Sequence, residues 1–152
     1  MTGSVGPVSS SPQAAAGPSY PGARLGLPEE GSGAVAGWGR RIVALMVDWV
    51  ASTLVAVAFV GIGGWLDGSA LSESLPLLVF LAEATLLTAL MGGSFGQLVC
   101  RVVVARLDGR PVNVLQAFVR TALVCLVIPP LVFNRDQRGL HDLAVKTVTL
   151  RR

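Results

Sequence analysis

A chain of 152 residues can form one domain, but only 14% of it is charged, 52% is apolar, and the mean hydropathy is +0.65. An ordinary soluble domain carries about 25% charged residues. The composition therefore excludes a wholly disordered chain, argues against a water-soluble enzyme, and points to a small integral membrane protein with the lipid bilayer as its first partner. The net charge of +3 is too small to suggest nucleic acid, and no stretch interleaves basic with aromatic residues. Cys100 and Cys125 lack CxxC spacing and read as small apolar residues rather than as a disulfide or redox pair.

Residues 1–36 hold five Pro, seven Gly and six Ser, with Tyr20 the lone aromatic. Such a segment buries too little apolar surface to offset its ordering entropy, so it is expected to be a disordered cytoplasmic tail ahead of a membrane domain at 37–152. No basic start followed by an apolar core marks a signal peptide there.

Arg40 and Arg41 open an apolar run, 42–66, whose one ionisable residue is Asp48. About 20 residues cross the hydrocarbon core as a helix, so helix one is placed at about 41–65. Gly61, Gly63 and Gly64 loosen its far end, and Trp65 suits an interfacial anchor. The connector at 67–74 carries two acids and no base. Helix two follows at about 75–92, with Pro76 expected in its first turn and Glu83 as its one charge.

Beyond the turn Gly92-Gly93-Ser94-Phe95-Gly96, residues 97–110 mix valines with Arg101 and Arg106, and Asp108-Gly109 supplies a turn. They are too short and too charged to span. An amphipathic element, helical then extended, is expected there at the membrane surface. A third segment, about 113–133, contains Arg120 and the pair Pro129-Pro130, and only 121–133 is free of charge. It is a Pro-interrupted membrane-embedded segment, either re-entrant or a short span. The tail at 134–152 holds five basic residues, and 145–150 alternates like a short strand.

The fold class expected is thus an all-α membrane protein with two transmembrane helices, the third segment, and a small cytoplasmic amphipathic or β-hairpin-like element. Basic residues favour cytoplasmic loops. Arg40 and Arg41 place the N-terminus inside, and the acidic connector lies outside. A full crossing of the third segment would put five basic residues outside, so the charges favour its return and a cytoplasmic C-terminus. Pairing of the two strand-like segments at 102–107 and 145–150 would demand the same.

Asp48, Glu83 and Arg120 stand at membrane depth, where an Asp or Arg costs roughly 2.5–3.5 kcal/mol to insert. Arg41 and Asp48 are seven apart and share a helix face, roughly 10 Å apart along the axis. A cluster of two carboxylates and a guanidinium is expected, serving either as an ion or proton site or as a structural lock in which Arg120 pairs with Asp48.

These residues resemble the RDD family of bacterial membrane proteins, named for one arginine and two aspartates. Arg41 matches the arginine, Asp48 the first aspartate, and Asp142, within Arg138-Gly139-Leu140-His141-Asp142, the second. Gly93-Ser94-Phe95-Gly96, Asp108-Gly109, Arg120 and Thr147 also fit the pattern over about 37–152. Gln97 stands where family members commonly carry a lysine, and the stretch between Arg120 and Arg138 is short. The resemblance implies a helical domain of the bacterial plasma membrane, with transport suggested for some members. Arg138, His141 and Asp142 would sit near the cytoplasmic mouth. His141 reads most simply as a surface histidine, and one His with one Asp is too few ligands for a metal.

Two functions compete. One is a transport or ion-coupled protein, oligomeric because so few helices enclose little. The other is a non-catalytic accessory or assembly subunit of a membrane complex with a membrane protein partner. No GxSxG, HExxH, Walker loop or CxxC is present, so no enzyme, catalytic residue, metal or cofactor is expected.

Overall fold

The structure, a computed structural model, describes residues 20–126 and 137–152. Two long helices dominate it. Helix α1 covers Trp38–Leu66 and α2 covers Ala70–Met91. At 1.5 Å per residue they are about 43 Å and 33 Å long, each enough to cross a bilayer. Only 22% of the most apolar stretch of each is buried inside the protein. Phe59, Leu54 and Leu90 are 79%, 65% and 72% exposed, an apolar surface that suits lipid and not water.

The two helices pack through small side chains at four-residue spacing. Ala44, Asp48, Ser52 and Ala56 are buried on α1, and Ser72, Pro76, Phe80, Ala84 and Thr88 on α2. In a membrane such rows let backbones approach closely, because lipid supplies no hydrophobic force to press helices together. Near its far end α1 is broken at Gly61, whose φ of 73° a residue with a side chain rarely adopts.

Helix two begins five residues earlier than the sequence suggests. The Ser69 hydroxyl accepts from the Ser72 N–H and caps the helix at Ala70, leaving a connector of only three residues, 67–69. Pro76 is therefore inside α2 rather than in its first turn, and the Ser72 carbonyl loses its usual partner.

A positive-φ Gly92 ends α2 and donates to the Thr88 carbonyl. The chain then forms α3 (Phe95–Val99) and strand β1 (Val102–Arg106), the helical-then-extended element expected. The Arg106 guanidinium pairs with Asp108 and with Gln116, which closes the turn into α4 (Val114–Cys125). Asn113 and Gln116 form a capping box at the start of α4. Of the third segment, the structure describes this helix. Residues 127–136, including the expected turn at Pro129-Pro130, lie outside the described residues. A short α5 (Leu140–Ala144) leads to β2 (Thr147–Arg151).

β1 and β2 pair antiparallel, with Val102 opposite Arg151, Val104 opposite Thr149 and Arg106 opposite Thr147. They are not a hairpin, because α4 and α5 intervene. The free edge of β2 is covered by the chain just before α1: Gly33 and Ala36 N–H groups donate to the Arg151 and Thr149 carbonyls, and Arg151 N–H returns a bond to Ala34. Ala34, Val35 and Ala36 are buried. Residues 33–36, the end of the expected tail, thus lie along the edge of β2 with one isolated bridge, Val35 to Leu150. Residues 1–19 lie outside the described residues. The sheet sits at the α1-start, α2-end pole of the helix pair, held there by a Val104 N–H bond to the Gly92 carbonyl and by Arg41.

Candidate functional site

The polar residues singled out from the sequence collect in two places, joined by a cavity. The first centre is Asp142, which is 0% exposed. The period of two along β2 puts the Thr147 and Thr149 side chains on one face. Their hydroxyls donate to Asp142 Oδ1 at 3.1 Å and Oδ2 at 2.9 Å. From α4, Arg120 Nε donates to Oδ1 at 2.9 Å. From α1, Arg41 Nη1 stands 3.7 Å from Oδ2, while its Nε donates to the Ala36 carbonyl. His141 Nε2 is 3.6 Å from Oδ1. Burial alone would push the Asp142 carboxyl up. The charges of Arg120, His141 and Arg41, with the Arg120 hydrogen bond, overcome it and hold the group well below the usual carboxylate range.

Two expectations are corrected here. Arg120 bonds Asp142 and Thr149, not Asp48. Asp142 is the hub of this cluster. His141 is 7% exposed and no surface histidine, because α5 packs it against α4 and the sheet. Arg138 donates from Nε to the Thr147 carbonyl and so braces the same strand.

The second centre is the start of α3. A helix leaves its first N–H groups without partners inside the helix. Here each finds one. The Ser94 N–H donates to Gln97 Oε1 and the Gln97 N–H to Ser94 Oγ, a capping box. The Phe95 N–H donates to Glu83 Oε1 of α2 at 2.6 Å. The Gly96 N–H donates to Asp48 Oδ1 of α1 at 2.5 Å, and the Ser94 hydroxyl to Asp48 Oδ2 at 2.6 Å. Two carboxylates from two long helices thus grip one short helix. Gly96 makes the approach feasible: a Cβ there would run into the Ala44 carbonyl and come within 2.9 Å of Asp48 Cγ. Gln97 closes the cap.

Between the two centres lies a cavity of about 100 Å³, room for several waters. Arg41, Asp48, Ser94, Gln97, Arg120 and His141 line its polar side, and Ile42, Leu45, Phe80 and Val124 its apolar side. The structure so brings Arg41, Asp48, Arg120 and His141 to one chamber, whose lining does not include Glu83. Thr149 and Ser94 were not singled out from the sequence as site residues. The alternation Thr147-x-Thr149 was the available signal for one, and the serine within the glycine turn for the other.

The family comparison fits this geometry. The model described as the RDD family matches residues 35–146, most of the chain and all of both centres up to Lys146. The chain belongs to the RDD family. Arg41 and Asp142, two of the residues that carry the resemblance, meet as an ion pair, while Asp48, the third, serves the other centre. As an RDD protein it is a mostly helical membrane domain with two apolar helices long enough to span and a two-stranded sheet. No curated protein and no solved structure matches the chain.

Proposed function

We propose that this RDD protein is a non-enzymatic, ion-coupled transport protein of the bacterial plasma membrane, with the chamber between α1, α2, α3 and α4 as its binding site. The observation that carries this reading is the double duty of Asp48. Its carboxylate forms part of the chamber wall and also anchors α3 through Ser94 and Gly96. A change in its proton state alters the charge of the chamber and the hold on α3 together, which is the linkage that ion coupling requires. Glu83 grips the neighbouring N–H and reinforces the same element. Two spans enclose no pathway by themselves, so the transporting unit is an oligomer. Arg40 and Arg41 at the sheet end, against Asp67 and Glu73 at the other, support a cytoplasmic sheet and cytoplasmic termini, with the third segment returning to that face.

Proteoliposomes holding an entrapped pH dye test this. Wild-type protein is expected to move protons under an imposed monovalent cation gradient. Asp48→Asn, which keeps an acceptor for Gly96 but cannot titrate, is expected to insert, fold and move none. Full flux through Asp48→Asn would end the reading.

The second reading, a non-catalytic assembly subunit, draws on the wide apolar flanks of α1 and α2 and on a fully bonded Asp142. It requires wild-type vesicles to be silent and a membrane protein to copurify in mild detergent.

A further inference from the structure

The sheet pole carries a second feature, separate from the chamber. Arg40, in the first turn of α1, reaches across to donate from Nη1 to the Cys100 carbonyl at 3.2 Å. Arg101 is the next residue, at the turn between α3 and β1. Arg152 donates its N–H to the Arg101 carbonyl at 2.9 Å, and Arg151 stands opposite Val102 in the sheet. The backbones of Arg101, Arg151 and Arg152 and the guanidinium of Arg40, from three separate parts of the chain, thus meet at one corner. Arg40, Arg101 and Arg152 are exposed, and Arg151 is half-buried, its Nε buried with no hydrogen-bond acceptor among the described residues. Among the described residues none of the four has a carboxylate within ion-pair distance, Glu29 and Glu30 included. The contrast with Arg106, which is paired with Asp108 at the opposite end of β1, is direct.

The height of this corner decides what it meets. The apolar run of α1 starts immediately after Arg41, so Arg40 stands where hydrocarbon gives way to headgroups. A net positive corner at headgroup height faces lipid phosphates, and guanidinium groups bind phosphate oxygens in paired hydrogen bonds. We propose that Arg40, Arg101, Arg151 and Arg152 form a binding site for the headgroup of an anionic phospholipid, which seats the sheet on the membrane surface. This rests on the membrane character of the family and stands whether or not the chamber transports anything.

The test uses the purified full chain in neutral detergent, titrated with short-chain phosphatidylglycerol, with short-chain phosphatidylcholine, and with inorganic phosphate, bound lipid being counted by native mass spectrometry. Phosphatidylglycerol is expected to bind more tightly than phosphatidylcholine and to weaken with added salt. Each of Arg40→Gln, Arg101→Gln and Arg152→Gln is expected to weaken it roughly fivefold, the worth of one basic residue near an anionic surface. Melting in lipid-free detergent checks the fold, and the Arg101→Gln/Arg152→Gln pair carries the test if loss of the Arg40–Cys100 bond unsettles α3. Equal binding of the two lipids, an unchanged preference in the triple variant, or inorganic phosphate displacing lipid at equal concentration would each overturn the proposal.

Discussion

Asp142 and Asp48 are both buried aspartates of the same domain, and they are satisfied in opposite ways. Asp142 is neutralised by charge, with Arg120 and Arg41 beside it and two threonine hydroxyls filling its remaining acceptor sites. Asp48 is held by neutral donors, one hydroxyl and one backbone N–H. A buried ion pair leaves a stranded charge when one partner is removed, whereas a carboxylate on neutral donors can gain a proton and strand nothing. The comparison separates a fastener, which joins α1, α4, α5 and β2, from an element whose charge can change. Two buried aspartates thus have two physical roles.

Breaking the fastener has the largest expected effect. Asp142→Ala leaves Arg120 and Arg41 buried beside each other without their anion, and a loss of about 3–5 kcal/mol is expected. Thermal melting in detergent reads it, and a wild-type melting temperature would show that the two arginines find other partners. Next is Gly96→Ala, which sharpens the second half of the comparison without touching any charge. The added methyl collides with the Ala44 carbonyl and pushes α3 off Asp48, for about 1–3 kcal/mol by the usual scale of overpacking. Its flux in vesicles should fall with Asp48→Asn, and unchanged flux would detach the grip on α3 from transport.

The smallest effect is a null one with a definite sign. The Asp142 carboxyl is depressed in the folded protein, so its contribution to stability is complete above the unfolded value of about 3.9 and declines only as pH falls below it. With His141→Gln as the background, which removes the imidazole beside Oδ1, the melting difference made by Asp142→Asn should therefore stay constant between pH 8 and pH 5. A difference that shrinks over that window in this background would mean that Asp142 already gains a proton there.

Much of the architecture was readable from residues alone, because it depends on local pattern. The runs at 42–66 and 75–91 are apolar at every turn, so membrane helices follow from length and hydropathy, and Gly61 and Ser69 adjust only their shape and ends. The identities of Arg41, Asp48 and Arg120 were legible too, since an ionisable residue in or beside an apolar run stands out, whereas Asp142, in a polar tail, stood out only through the family resemblance. What local pattern does not carry is pairing. Arg41 and Thr149 are 108 residues apart and Asp48 and Gly96 are 48 apart. Helical period places Arg120 on a face, but it does not say which of two aspartates that face meets. Depth alone favoured Asp48. The antiparallel pairing of β1 with β2 brought Asp142 to Arg120 instead, and the close approach at Gly96 turned Asp48 toward α3. Composition and hydropathy determine the solvent because burial in lipid sums over residues independently. Which charges meet is decided by the tertiary fold, because a buried carboxylate must find its donors wherever the packed backbone presents them.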